Sequence, residues 1–280
     1  MIHIVADGAA DIPAKWREEF AIDVIPVNIH FGEKTYLQDV DLDREGFYKL
    51  VDESHKVPKT SQPSPHQFIE FYKKIAAAGD TILSVHVTSK LSGTYQSAVA
   101  AARELRHSYK VIPFDSLCGS AGIGMLCREA RLADRAGHGV DEIVRKLEIL
   151  RGKIDIFLTL DTLDYARMSG RVGAMQAVLA SLLNIKPIVT LDNGALEITE
   201  KVRTRSASLE RLVEMAKEKV GDKLINLTAV HARDPQSGQS LLDQAREMLN
   251  IKESDLTDLS ISIAANLGPG TVGLVFHPVE

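Results

Sequence analysis

The chain has 280 residues, a formal charge of −5, 45% hydrophobic and 25% charged residues. A chain of this length buries close to three quarters of its unfolded surface without disulfide or metal staples, and its composition argues against disorder, collagen and a solenoid. The acidic balance, with no long Lys/Arg run, argues against a nucleic-acid groove.

The opening residues 1–13 lack the basic start and long apolar stretch of a secretory signal. Runs rich in Ile and Val predict strands over 2–6, 24–31, 81–87 and 110–114. The continuous apolar run 82–87 suits burial on both faces, as in a parallel sheet. Asp11 reads as an N-cap with Pro13 in the first turn of a helix ending near Phe20. Helical spacing or composition marks 67–78, 94–106, 121–136 and 140–151. Cys118 and Cys127 cannot make a disulfide framework and read as small core residues in a reducing compartment, so the expected address is cytoplasmic. Strand and helix alternate, the pattern of an α/β layer with crossover helices.

The second half reads as a strand over 155–160 and a short helix over 163–168 closed by Ser169-Gly170. An uncharged helix follows over 174–183, with strands over 186–191 and 196–202 flanking Asp192-Asn193-Gly194, a hairpin signal. An amphipathic helix over 206–220, a strand over 224–231, a helix over 240–249 and strands over 259–264 and 272–277 complete the chain. A hairpin beside helices predicts a mixed sheet. The expected architecture is therefore α/β with two domains. Residues 1–152 carry a mainly parallel sheet and residues 153–280 a mixed one, with no repeat or low-complexity linker between them.

No phosphate-loop motif, H-E-x-x-H, C-x-x-C or G-x-S-x-G elbow occurs. The nine histidines are scattered, and no metal site is indicated. Hydroxyl-rich loops stand out instead. The first runs from Thr60 and Ser61 to Pro65; the second runs from Thr88 through Ser92 and Gly93 to Ser97. Hydroxyls and free N–H groups at a helix start attract an anion, although the same residues also serve as ordinary caps. A third loop, Asn266 to Thr271, places Gly268 and Gly270 around Pro269. It reads as an anion nest or a tight turn; the Asn266 amide can donate to an oxyanion. Arg171 abuts the uncharged helix, where an unpaired charge is costly, so a partner is expected for it. Arg203 ends a strand. The uncharged helix reads as core or as the wall of a ligand tunnel.

Together these segments resemble the DegV family of bacterial fatty-acid-binding proteins. The resemblance runs nearly end to end. It is carried by Val5-Ala6-Asp7-Gly8-Ala9-Ala10-Asp11-Ile12-Pro13, Thr60-Ser61-Gln62-Pro63-Ser64-Pro65 and Leu91-Ser92-Gly93-Thr94-Tyr95-Gln96-Ser97-Ala98. Asp115-Ser116, Leu160-Asp161-Thr162-Leu163-Asp164-Tyr165, Ser169-Gly170-Arg171-Val172-Gly173 and Asn184-Ile185-Lys186-Pro187 continue it. Lys201-Val202-Arg203-Thr204 and Gly268-Pro269-Gly270-Thr271 close it. The resemblance implies two α/β domains, with an acyl chain in a tunnel of the second and its carboxyl at the junction. Thr60, Ser61 and Ser92 would bond that carboxylate, and Arg171 and Arg203 would belong to the polar network around it. It also implies transfer of the bound acid to the separate ATP-using subunit of a fatty acid kinase, toward phospholipid synthesis, with peripheral membrane contact for acid exchange. No cofactor is implied beyond the long-chain fatty acid as ligand. Two positions depart from the family pattern. Gly8 stands where a serine is common, and Asn266 where many fatty-acid binders carry histidine; an amide donates but does not titrate.

The physical case is a balance of burial terms. About 14 methylenes leaving water gain roughly 11 kcal/mol, while stripping water from an unpaired carboxylate costs several. Convergent neutral donors offset that cost. The expected function is a fatty-acid carrier presenting its carboxylate to a kinase. The alternatives are a serine-dependent acyl hydrolase or transferase with Ser92 as nucleophile, and a binder of small anionic metabolites.

Overall fold

The structure, a computed structural model, describes residues 1–171 and 185–279. The helix predicted over 174–183 lies outside the described residues. The first half runs β1 (Ile2–Asp7), α1 (Ala14–Glu19), β2 (Ile22–Ile25), β3 (Asn28–Phe31), β4 (Lys34–Leu37), α2 (Arg44–Ser54), β5 (Lys59–Ser61), α3 (Pro65–Ile75), β6 (Thr81–His86), α4 (Thr94–Leu105), β7 (Lys110–Asp115), α5 (Ala121–Arg135) and α6 (Val140–Arg151). The second runs β8 (Asp155–Thr159), α7 (Asp164–Ser169), β9 (Lys186–Asp192), β10 (Ala195–Val202), α8 (Arg205–Val220), β11 (Ile225–His231), α9 (Pro235–Met248), β12 (Ile251–Asp258), α10 (Ile261–Leu267) and β13 (Val272–Pro278).

Three sheets organise these elements. A parallel sheet has the order β2-β1-β6-β7, and a six-stranded mixed sheet the order β10-β9-β8-β13-β11-β12. In the second, only β11 and β12 pair in parallel. A small antiparallel sheet, β4-β3-β5, stands beside them.

Burial follows from strand composition. Ile4, Leu83 and Val85 turn one face of the parallel sheet inward, toward α5 and the inner face of the mixed sheet, where Ile156, Leu158, Val189 and Val275 join the same apolar cluster. Val5 and Ile82 turn the other face outward against Phe68, Tyr72, Ala98 and Ala101 of α3 and α4. The outer face of the mixed sheet is covered by Leu212, Val213, Leu241 and Ala245 of α8 and α9. Helices on both faces are what a buried parallel sheet requires.

Several expectations change. The strand over 24–31 is two strands, because Pro26 has no N–H for the ladder: β2 pairs with β1, and β3 leaves for the small sheet. Asp11 does not cap α1. Pro13 holds the N-cap position of that helix, and the Asp11 carboxylate is buried elsewhere. The helix predicted from 240 begins at Pro235, where Asp234 accepts from the Ser237 N–H at 3.1 Å and Pro occupies the first turn. The strand predicted over 259–264 gives way to α10; its apolar run is short enough to fit either period. Other elements have no counterpart in the prediction. One is α2, capped by Asp43 through the Gly46 N–H at 2.8 Å. The strands β4 and β5 are short and partly exposed. The edge strand β12 is masked by Lys252, Glu253, Ser254, Asp255, Thr257 and Asp258. The Asn193-Gly194 turn is as expected, with φ of +45° and +85°.

Candidate functional site

The loops after β1 and β6 leave the carboxyl ends of the parallel sheet, the place where open α/β sheets form ligand crevices. Here those ends face the inner surface of the mixed sheet, and a cavity opens between the two. Val27, Val87 and Leu91 wall it on one side, and Ile156, Leu158, Leu191 and Leu196 on the other. The space open to the centres of water-sized groups is about 110 Å³, room for several such groups.

Thr60, Ser61, Ser92, Asn266 and Arg171 all line this cavity. β5 delivers Thr60 and Ser61, fixed by pairing with Ile29 and Asn28 of β3. Ser92 sits in the β6–α4 loop, its Oγ 2.8 Å from Thr94 Oγ1. Asn266, on α10, donates from Nδ2 to Thr60 Oγ1 at 3.2 Å and to the Ser262 carbonyl at 2.6 Å. The first contact joins residues 206 positions apart in sequence. Gly93 joins the second loop to the first. A Cβ there would stand 2.8 Å from Gln62 Nε2, so a larger residue would push the Gln62 side chain aside. The Arg171 guanidinium is half-buried and donates to the Ser169 carbonyl at 2.5 Å.

Gly93 is not itself among the lining residues, and two further residues are not brought here. Arg203 is exposed in the bend between β10 and α8, and it is not among the cavity's lining residues. Gly268, with φ of +88°, closes α10; a Cβ there would stand 2.9 Å from the Tyr165 ring. That loop is the tight turn of the two readings, and its Gly270 N–H bonds the Ala232 carbonyl at 2.7 Å.

Sequence reasoning misses Asp7, Gln62, Thr94, Ser120 and Ser262, which also line the cavity. Asp7 is fully buried. It accepts from the N–H groups of Ala9 and Val87, each at 2.8 Å, and lies 3.2 Å from His86 Nδ1. Its place at the carboxyl end of a central strand is the available signal. Ser262 stays hidden because its segment reads as a strand. Its hydroxyl donates to the Gly8 carbonyl at 2.8 Å, and Gln38 Oε1 accepts from its N–H at 3.2 Å. Ser120, at φ +53°, bonds the Asp11 carboxylate. Burial pushes the Asp11 pKa up to about 6 despite the lowering contacts from Ser120 and Ser260.

Chemically, the described residues give an apolar cavity lined by hydroxyls, amides, the Arg171 guanidinium and the carboxylate of Asp7, the last already engaged by the N–H groups of Ala9 and Val87. Among the described residues, no group of three or more His, Cys, Asp or Glu side chains could hold a metal ion, and no helix is long and apolar enough to cross a membrane.

The model of the DegV family, described as uncharacterised proteins, matches residues 1–279. Protein DegV of Bacillus subtilis is 30% identical over 276 residues, which is 98% of each chain. A DegV domain-containing protein of Streptomyces coelicolor is 32% identical over 276 residues, 98% of this chain and 97% of the relative. Among solved structures, that of DegV, a fatty acid binding protein from Bacillus subtilis, matches with a TM-score of 0.87 at 28% identity over 99% of each chain. That of a fatty-acid-binding DegV family protein from Thermus thermophilus matches with a TM-score of 0.89 at 29% identity, again over 99% of each chain.

Proposed function

The chain belongs to the DegV family, and from that premise we propose that it is a carrier of a long-chain fatty acid. The acyl chain lies in the cavity between the parallel and mixed sheets. The carboxylate is held by Thr60, Ser61, Ser92 and the Asn266 amide, with Arg171 beside it. In this reading residues 1–152 and 153–280 act as two domains, with the ligand at their junction. One observation carries it: three segments far apart in sequence meet at one apolar cavity, linked by the Asn266–Thr60 hydrogen bond and the Gln62 side chain over Gly93. The fatty-acid-binding relatives from Bacillus subtilis and Thermus thermophilus support it.

The finer reading adds a partner. A carrier that does no chemistry on its cargo needs a separate enzyme, and a kinase subunit that turns the presented carboxylate into acyl phosphate fits that need.

A hydrolase built on Ser92 is disfavoured by geometry. The side-chain partner of the Ser92 hydroxyl is Thr94, a second hydroxyl that is no general base.

Denaturing the purified protein and extracting it for mass spectrometry tests the carrier reading. A long-chain fatty acid in about equimolar amount is the expected result, and Ser92→Ala should weaken rebinding of palmitate by roughly tenfold, the loss of one charge-assisted hydrogen bond. Protein that carries no lipid and takes up none when offered overturns it.

A further inference from the structure

Ser61 has a partner that Ser92 lacks. Its Oγ lies 2.8 Å from His30 Nε2, and His30 Nδ1 lies 2.9 Å from Thr35 Oγ1. The three residues come from the three strands of the small sheet and share one of its faces: His30 is paired with Thr35 across one ladder and with Lys59 across the other, and Ser61 is two residues beyond Lys59. Ser61 lines the cavity; His30 stands behind it, half-buried. Lys59 is the charged residue of the neighbouring strands on this face, while Lys34 and Tyr36 of β4 take the opposite one.

A hydroxyl has one proton to give. If Ser61 gives it to an unprotonated His30 Nε2, only oxygen lone pairs face the cavity, and they repel a carboxylate. If Nε2 carries a proton, it donates to Ser61 Oγ, and the Ser61 proton is free to point at the ligand. Thr35 permits both arrangements, because its hydroxyl accepts from a protonated Nδ1 or donates to a bare one. A carboxylate at that position would lock one tautomer, as in serine hydrolases; a hydroxyl does not.

We infer that His30 is a positioning and specificity residue of the head-group site: through Ser61 it makes the cavity select an ionised carboxylate over a neutral ester. The inference rests on the carrier reading above. An imidazolium always presents a donor to Ser61, so acidification favours carboxylate binding more than ester binding, because the hydrogen bond to a charged acceptor is the stronger one.

The test compares wild type with His30→Gln, whose amide can hold Ser61 but does not titrate. Titrations with palmitate and with methyl palmitate run from about pH 8 to about pH 6. Wild type is expected to gain roughly threefold or more in palmitate affinity relative to His30→Gln across this range, with no matching gain for the ester. Nitrogen-15 NMR of the His30 ring is expected to show Nε2 becoming protonated when palmitate binds. Parallel pH profiles for the two proteins, or a ring tautomer that palmitate leaves unchanged, overturn the inference alone. A wild type that binds neither ligand at any pH overturns the carrier reading and the inference with it. Should His30→Gln fail to fold, Ser61→Ala, which removes the hydroxyl that His30 orients, is expected to flatten the same profile, and an unchanged profile overturns the inference.

Discussion

Asp11 is 2% exposed, yet from the start of the chain it holds one segment from the middle and one from near the end. Its carboxylate accepts from the Ser260 N–H at 2.6 Å and from the Ser120 hydroxyl, at the starts of α10 and α5. Both helices contribute to the cavity wall or abut it. Burial is the largest influence on this group and raises its pKa to about 6; Arg44 is a minor opposing charge. The folded protein therefore holds the Asp11 proton to higher pH than the unfolded chain does. Stability contributed by this group falls as pH rises from about 4 to about 6, and the cost of the buried charge is complete above that window. The displacement corresponds to about 3 kcal/mol when the whole window is crossed. An asparagine at this position can donate to Ser120 and accept from Ser260 without any charge. Urea unfolding of wild type and Asp11→Asn is expected to show wild type gaining roughly 2–3 kcal/mol on the variant between about pH 7 and about pH 4. A difference independent of pH would refute the assignment. The motif around Asp11 is visible in the sequence, but it reads there as a local cap. A carboxylate shortly before a helix does not reveal a partner 249 residues away.

At the scale of elements, β13 is the strand on which the mixed sheet closes, lying between β8 and β11. Gly273 sits where a Cβ would fall 2.3 Å from both the Leu158 side chain and the Phe157 carbonyl. The carbonyl belongs to a paired strand and cannot turn aside. Gly273→Ala is therefore expected to cost about 1–3 kcal/mol or more, the usual penalty of overpacking, measured by urea denaturation; a variant as stable as wild type would show that the sheet can spread. Most elements are legible because periodicity and breakers act locally: the Asn193-Gly194 turn and the apolar run of β6. Those that are not share a different cause. β12 is an edge strand with polar residues along it, and α10 is a seven-residue helix whose apolar content matches a buried strand. In both cases packing, rather than local preference, selects the conformation.

Across the whole molecule, one apolar cluster runs from Ile4 of the parallel sheet through α5 to Val275 of the mixed sheet. The proposed ligand lies within the same junction, so its binding adds contacts to both halves and acts on the folded state alone. Palmitate at about a hundred times its Kd should stabilise delipidated protein by about 2.7 kcal/mol, raising the unfolding midpoint by roughly 5 °C or more in a single transition. An unchanged midpoint in calorimetry, or a shift confined to one of two separate transitions, would contradict a ligand that bridges the halves.

Local sequence is enough to set the α/β class, the parallel and mixed sheets and the hydroxyl-bearing segments worth watching, because strand burial, turn chemistry and helix spacing are written in neighbouring residues. Which of those segments meet is a matter of tertiary packing. It puts Asn266 against Thr60 and His30 behind Ser61, and it leaves Arg203 in solvent and Gly268 under Tyr165. These are relations between residues tens to hundreds of positions apart, and they depend on how the sheets stack, which no local pattern encodes.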